Sequence, residues 1–190
     1  MAQQTLLQAS VGARSLLVKA LAVLGGSAVI ALGAQVSVPM LPVPMSLQTL
    51  AVLMVGLTAG SRLGAAAVIA YLVEGAMGLP VFAGGAAGLP ILMGPTGGFL
   101  FGFVAMAFVA GFLAEHGMAR GVIGTAVAGL IASVALYVPG VLWLDMATGL
   151  DLNGAIAAGM TPFLLGDAVK IAIAALAVTG AWTALSSRRG

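Results

Sequence analysis

The sequence predicts an all-α, polytopic membrane protein with six transmembrane helices joined by glycine- and proline-rich outer loops. Three observations carry this prediction. The chain of 190 residues is 62% hydrophobic and only 6% charged, whereas soluble domains carry about 25% charged residues. Its mean hydropathy is +1.20. Its apolar residues fall into six runs, and a helix of roughly 20 apolar residues can cross a bilayer.

We expect residues 1–190 to form a single integral membrane domain. The predicted spans are residues 16–35, 47–60, 63–77, 97–114, 121–144 and 162–185. The second and third spans are short, and a re-entrant hairpin is their alternative. That hairpin would bury Arg62 within the membrane, which is costly, whereas two full spans place Arg62 in a surface turn.

The basic residues predict the orientation of the chain. Six spans place six of them on one side of the membrane, namely Arg14, Lys19, Arg62, Arg120, Arg188 and Arg189. The opposite loops, residues 36–46, 75–96 and 145–161, contain no Lys or Arg. Cytoplasmic loops carry the excess of these residues. We therefore expect a multi-pass protein of a bacterial-type inner cell membrane, with both termini in the cytoplasm.

The composition argues against several classes of function. The chain has no cysteine and one histidine, His116, so neither a thiolate nor a multi-histidine metal site is expected. We predict no metal, no cofactor and, with only five acidic residues, no catalytic residues and no enzyme. The basic residues recur between apolar runs rather than in a patch, so the chain is not expected to bind nucleic acid. No Gly-x-x-x-x-Gly-Lys-Ser/Thr motif occurs, so ATP energy would have to come from another chain.

Two charged residues, Asp167 and Lys170, interrupt the last apolar run. Each charge costs roughly 2.5–3.5 kcal/mol at the centre of a membrane helix, and residues three apart share one helix face. Two interpretations stay open. The charges could bind a polar ligand, or they could form a mutual ion pair that only stabilises the bundle.

The outer loops predict a cover over that site. Residues 36–49 contain three prolines, and residues 78–98 are apolar and rich in glycine; long structured loops are usually functional. The expected pocket suits a small amphiphile that has one carboxylate and a polar head group. Its candidate wall residues are Phe82, Phe99, Tyr137 and Trp143. Ser46 and Gln48 open the second span together with Thr49, either as helix caps or as hydrogen-bond partners of a ligand.

Small residues recur at four-residue spacing, for example in the first span at Ala22 and Gly26 and at Ser27 and Ala31. Such stripes let membrane helices approach closely. Packing within one bundle explains most of them, including Gly98 with Gly102 and Ala168 with Ala172. One stripe is a candidate docking surface for a partner protein or for a second copy of the chain.

Six stretches carry a family resemblance and occur in order along the chain. They are 33–39 (GAQVSVP), 42–49 (PVPMSLQT), 78–85 (GLPVFAGG), 94–99 (GPTGGF), 137–144 (YVPGVLWL) and 162–170 (PFLLGDAVK). Together they resemble the BioY family, the biotin-binding substrate-specificity (S) components of energy-coupling factor transporters. The resemblance implies a six-helix S-component fold with an outward-facing biotin pocket beneath the loops.

The resemblance also implies roles for particular residues. Asp167 and Lys170 would bind the ligand, with polar help from the second span and from the Gly84–Gly88 loop region, in which Gly84 and Gly85 are the candidate contacts. Some members carry a polar residue such as Asn in that loop, where this chain has Ala83. The implied partners are a transmembrane coupling (T) component, which docks on small residues of the first helix, and a pair of cytoplasmic ATPases. Membrane lipid is a further expected partner.

The predicted function is therefore high-affinity biotin binding and uptake. In this hypothesis Lys170 meets a charged or strongly accepting group, and Asp167 accepts ureido or other N–H bonds; alternatively, Asp167 only orients Lys170. Three other functions stay open, which are an S component for another small vitamin, an integral-membrane enzyme and a structural bundle. The enzyme alternative would have to use acids such as Asp145 and Asp151 of an outer loop.

Overall fold

The computed structural model describes residues 4–11 and 15–187. Over these residues the chain forms nine α-helices, three 3-10 turns and one short hairpin. The helices are α1 (Leu6–Val11), α2 (Leu16–Gln35), α3 (Gln48–Ala59), α4 (Ser61–Ala76), α5 (Leu89–Met93), α6 (Gly97–Glu115), α7 (Val122–Thr148), α8 (Leu152–Gly159) and α9 (Leu164–Ser187). The 3-10 turns are Ala83–Gly85, Met118–Arg120 and Thr161–Phe163. Strands β1 (Ser37–Val38) and β2 (Met45–Ser46) pair antiparallel, with Ser37 opposite Ser46.

The all-α fold is confirmed, and six of these helices correspond to the predicted spans. Among the described residues, four apolar helical stretches are long enough, by length and composition, to cross a membrane. They are Leu16–Gln35, Gly97–Glu115, Val122–Thr148 and Leu152–Ser187, the last of which includes both α8 and α9. Helix α3 has 12 residues and α4 has 16, so both are shorter than a full span. The count of six full spans is therefore approximate.

The predicted boundaries differ from the structure mainly at the loops. Helix α7 runs four residues past the expected end at 144 and stops at Gly149, whose φ of 68° is left-handed, a conformation that glycine adopts readily at helix ends. Helix α9 starts at Leu164, after a 3-10 turn. The expected outer loops contain the β-hairpin, α5 and α8. These loops are therefore largely structured, in agreement with their predicted role as a cover.

Glycines set the closest helix contacts. Helices α6 and α7 meet at Gly98, where an added Cβ would lie 2.1 Å from Trp143 Cβ and 2.6 Å from Pro139 O. Helices α3 and α6 meet at Gly56, where a Cβ would lie 2.6 Å from the carbonyl oxygen of Ala107. Small residues permit such backbone approach between membrane helices. By contrast, Ala168 and its neighbour one turn on, Ala172, are exposed.

One end of the bundle is defined by side-chain contacts between α4, α6 and α9, and we call it the basic end. Glu115 accepts hydrogen bonds from Ser61 N (2.9 Å) and from Ser61 Oγ, which satisfies the start of α4. The guanidinium of Arg120 lies 3.7 Å from the centre of the Trp182 ring. Arg62 is exposed, as predicted, but it lies in the first turn of α4 and not in a loop between α3 and α4. Of the other residues used for the orientation, Arg14, Arg188 and Arg189 lie outside the described residues.

Candidate functional site

The opposite end of the bundle, which we call the loop end, contains the charged pair of α9. Asp167 is 6% exposed and Lys170 is 9% exposed. Lys170 Nζ lies 3.1 Å from Asp167 Oδ1. Both side chains are buried in the bundle, whereas Val169 and Ile173 on another side of α9 are exposed. The prediction that the two charges share one helix face is therefore confirmed.

Thr49 and Tyr137 complete this charged group. The Thr49 hydroxyl donates to Asp167 Oδ1 at 3.1 Å and accepts from Lys170 Nζ at 2.8 Å. The Tyr137 hydroxyl donates to Asp167 Oδ2 at 2.5 Å. Three helices, α3, α7 and α9, thus meet at one carboxylate. Hydrogen bonds and an opposite charge offset part of the cost of keeping this carboxylate away from water.

A second polar group lies at the start of α3. Gln48 Nε2 donates to Tyr71 Oη at 2.6 Å, and Gln48 Oε1 accepts from Ser46 Oγ at 3.0 Å. Ser46 Oγ also accepts from the backbone N–H of Gln48 at 3.3 Å, but the N-cap residue of α3 is Leu47, which has no side-chain capping bond. Tyr71 packs edge-on against Phe82, with ring centres 5.4 Å apart. The network fixes the side chain of Gln48 at the cavity described next.

Both polar groups face one cavity of about 240 Å³, which we call the loop-end cavity. Its walls are mostly apolar and aromatic, and they come from the hairpin, from the loop before α5 and from helices α3 and α5 to α9. The lining residues are Val43, Pro44, Ser46, Gln48, Thr49, Phe82, Ala83, Ala86, Ile91, Thr96, Phe99, Leu100, Phe103, Leu136, Tyr137, Gly159, Phe163, Asp167 and Lys170. An apolar pocket with a few convergent polar groups is typical of a small-molecule site.

The structure brings together most of the predicted site residues. Those that line the cavity are Ser46, Gln48, Phe82, Phe99, Tyr137, Asp167 and Lys170. Gly84, Gly85 and Trp143 lie outside this lining. The two glycines are exposed and have φ values of 69° and 75°, which suits a tight turn. Trp143 Nε1 donates to the carbonyl oxygen of Gly94 at 2.9 Å, so this ring secures the segment before α6 from outside the cavity.

The sequence does not predict several of the residues that line the cavity. Thr49 is expected at the start of the second span beside Ser46 and Gln48, but nothing in the sequence shows that it bridges the two charges. Phe103 and Phe163 are wall residues, whereas Phe101 and Phe108 are about 46% exposed on the same helix as Phe103. In a helix that is apolar all round, residue type gives no sign of which face is buried.

The small residues predicted for docking divide between the bundle interior and a second depression. The Ser27 hydroxyl lies 2.8 Å from Glu74 Oε1 of α4, and Ala31 packs against the core. An added Cβ at Gly26 would lie 2.7 Å from Ala67 Cβ. These contacts are all within the chain. A docking role for Ala22, Gly26, Ser27 and Ala31 stays a prediction.

The second depression lies between α1, α2, α3 and α9, and we call it the basic-end groove. Its polar lining side chains are the hydroxyls of Ser10 and Thr58, and no charged residue lines it among those described. The lining residues are Leu6, Leu7, Ser10, Ala22, Gly25, Gly26, Val29, Val55, Thr58, Ala59, Ala181, Ala184 and Leu185. Gly25 is exposed here, with nothing within 4 Å of a Cβ added to it.

Comparisons with known proteins agree with this architecture. A biotin transporter BioY of Thermotoga maritima is 40% identical over 156 residues, covering 79% of this chain and 87% of the relative. A probable biotin transporter BioY of Pyrococcus horikoshii is 36% identical over 149 residues, covering 78% and 86%. A biotin transporter BioY of Rhizobium etli is 39% identical over 149 residues, covering 74% and 79%.

A solved structure shares the fold. It is the S-component for biotin from an ECF-type ABC transporter, with a TM-score of 0.78 and 24% identity, covering 85% of this chain and 88% of that one. The model of the BioY family matches residues 3–187. This match spans nearly the whole chain, so the chain belongs to the BioY family.

Proposed function

We propose that the chain binds biotin in the loop-end cavity and acts as the substrate-binding S component of an ECF-type vitamin transporter. The observation that carries this proposal is the buried Asp167–Lys170 pair, which lines a cavity with otherwise apolar and aromatic walls. The named relatives are biotin transporters. Since they are transporters, the expectation that the chain is not an enzyme is confirmed.

The chemistry of the cavity complements that of biotin. Biotin has a carboxylate on an aliphatic tail, an apolar fused ring, and a ureido group with two donors and one acceptor. The Lys170 ammonium has three protons, of which two point at Thr49 and Asp167, so one is available for a ligand oxygen. Asp167 Oδ2 accepts one hydrogen bond from Tyr137 and has capacity for a ligand N–H.

Equilibrium binding of labelled biotin to the detergent-purified protein tests this function directly. We expect saturable binding that Lys170→Ala and Asp167→Asn each weaken by at least about 30-fold, because truncating one partner of a buried charge pair costs about 2–5 kcal/mol. Leu32→Ala is the matched control, since Leu32 is 70% exposed on α2 and away from the cavity. Wild-type affinity in both charge variants would refute the assignment of the site.

Competition separates biotin from other small vitamins. Unlabelled biotin should displace the label, whereas thiamine, riboflavin and folate should not at the same concentrations. Desthiobiotin retains the ureido group and the carboxylate but lacks the sulfur-containing ring, so it should compete with intermediate strength. Displacement by a different vitamin in preference to biotin would favour the alternative function as an S component for that vitamin.

We further propose that a T component and a pair of ATPases assemble with the chain through the basic-end groove. The lining of the groove supports this, because close approach of a partner helix requires small residues and Ala22, Gly25 and Ala184 line it. Co-expression with a tagged T component and its ATPases, followed by affinity purification, tests the assembly. We expect the chain to co-purify in a complex, and recovery of the chain alone under mild detergent would contradict this proposal.

We also propose that both termini face the cytoplasm in the inner membrane. The chain has no native cysteine, so cysteines introduced at positions 62 and 86 can be labelled selectively. In intact cells a membrane-impermeant maleimide should react with position 86 and should reach position 62 only after the membrane is opened. The reverse pattern would invert the proposed orientation.

A further inference from the structure

Gln35, the last residue of α2, contacts the segment that covers the loop-end cavity. Its Nε2 lies 3.4 Å from the carbonyl oxygens of Pro80 and Val81 and 3.3 Å from that of Phe82. The same nitrogen lies 3.4 Å from the carbonyl oxygen of Ala31 in its own helix. Four backbone carbonyl oxygens therefore surround the side-chain amide of Gln35. Three of them belong to the consecutive residues 80–82, and we call this segment the cover.

The chemistry of this contact fixes the orientation of the amide. Each neighbour of the Gln35 nitrogen is a carbonyl oxygen, so the NH₂ group and not the amide oxygen must face the segment 80–82. Its two protons are shared among the acceptors. Segment 80–82 takes part in this contact through its backbone oxygens only. The contact therefore holds the path of the segment whatever its side chains are.

Segment 80–82 ends at a residue of the cavity wall. Phe82 lines the cavity and is 1% exposed. Its ring lies over Gly75, where an added Cβ would be 2.1 Å from Phe82 Cζ, and it packs edge-on against Tyr71. Tyr71 in turn accepts the hydrogen bond from Gln48. A displacement of segment 80–82 would therefore move an aromatic wall and disturb a polar group of the cavity.

We propose that Gln35 is a positioning residue that holds segment 80–82 closed over the cavity and so sets how slowly the ligand leaves. This inference rests on the proposed function, since the ligand is the biotin of that proposal. Gln35 is not part of the cavity lining, so it acts through Phe82. It also joins the cover to the outer end of α2, the helix that contributes Ala22 and Gly25 to the basic-end groove.

Biotin dissociation and association rates in three variants test the proposal. Gln35→Ala removes the donor and should speed dissociation about 3- to 10-fold, the equivalent of one net hydrogen bond, with little change in the association rate. Gln35→Glu places a carboxylate against three carbonyl oxygens and should speed dissociation more than alanine does. Gln35→Lys retains a donor of sufficient reach and should restore most of the wild-type rate. Leu32→Ala, one turn earlier on α2, is the control and should leave both rates unchanged.

A second measurement needs no ligand. Leu100 lines the cavity and is only 5% exposed, so the rate at which maleimide labels an introduced Leu100→Cys reports how often segment 80–82 moves away from the cavity. This rate should rise in the Gln35→Ala background and not in the Leu32→Ala background. Wild-type dissociation and labelling rates in Gln35→Ala and Gln35→Glu would overturn the proposal, as would a lysine variant that behaves like alanine. If the wild-type protein fails to bind biotin, the proposed function fails, and the labelling rates still decide the role of Gln35.

Discussion

The loop-end cavity and the basic-end groove both have largely apolar walls, but they differ in their polar groups. The cavity contains a buried carboxylate, an ammonium and hydroxyls that bond to them, whereas the groove is lined by apolar residues, many of them small, with two hydroxyls and no charge among the described residues. A small polar ligand requires fixed charges held by neighbouring side chains. A partner helix requires surfaces on which backbones can approach without a desolvation cost. We therefore expect ligand recognition in the cavity and the proposed partner assembly at the groove to be separable.

The largest expected effect comes from replacing the charged pair by apolar residues. In the double variant Asp167→Leu with Lys170→Met, biotin affinity should fall by at least about 100-fold. Its thermal stability in detergent should nevertheless exceed that of Lys170→Ala alone, because a single truncation leaves an unpaired buried charge, which costs about 3–5 kcal/mol. Calorimetric titration and thermal unfolding measure the two quantities.

This comparison also decides between the two interpretations of the pair. If the charges only stabilise the bundle, the double variant should retain biotin binding whenever it is folded. Co-purification with partners through the groove should be unchanged in the double variant. A simultaneous loss of partner binding would mean that the two regions are not separable.

Two adjacent glycines test the groove. A Cβ at Gly26 would lie 2.7 Å from Ala67 Cβ and 3.2 Å from Val55 Cγ1, whereas a Cβ at Gly25 meets nothing within 4 Å. Gly26→Val should therefore destabilise the fold by about 1–3 kcal/mol, as overpacking does. Gly25→Val should leave folding and biotin binding intact and reduce recovery of the chain with the T component. Equal behaviour of the two variants in unfolding and pull-down experiments would contradict this division.

Site residues could be predicted from the sequence where a residue type is unfavourable in the surrounding stretch of chain. Asp167 and Lys170 could be identified because two charges in an apolar run are costly in a membrane, and their spacing predicted a shared face. The spans could be predicted because long apolar runs are needed to cross a bilayer. Gly98 was likewise recognised as a packing residue from its four-residue spacing to Gly102.

The sequence was least informative about which apolar residues face the cavity. Phe103 lines it and Phe101 does not, although the two lie in one uniformly apolar helix. Tyr137 and Trp143 were both expected as wall residues. They are six residues apart on one helix, so their side chains point in directions that differ by a rotation of about 240°. Only one of them could face the cavity directly, and the structure places Tyr137 there. The contacts of Gln35 depend on the path of a distant loop, which local patterns do not determine.

The hydroxyl that bridges the two charges should have a smaller effect than the charges themselves. Thr49→Val retains the shape of the side chain but removes one hydrogen bond from Asp167 and one from Lys170. Hydrogen bonds to charged groups contribute about 1.5–3 kcal/mol each, and the two charges still pair directly. We expect biotin affinity to fall about 10- to 100-fold. Thr49→Ser restores the hydroxyl and should bind nearly as the wild type does, and a serine variant as weak as valine would exclude the bridging role.

The smallest expected effect lies at the apolar wall. A Cβ at Gly159 would lie 2.7 Å from Leu144 Cδ2 and 3.0 Å from Phe99 Cζ, both of which are side-chain ends that can shift. Gly159→Ala should therefore displace the Phe99 ring in the cavity and weaken biotin binding about 2- to 5-fold, a small part of the 1–3 kcal/mol typical of overpacking. Gly180→Ala is the matched control, because nothing lies within 4 Å of its Cβ. If both variants lose affinity equally, helix propensity and not the shape of the wall is responsible. If only Gly159→Ala loses affinity while partner recovery is unchanged, the apolar wall contributes to ligand binding independently of the groove.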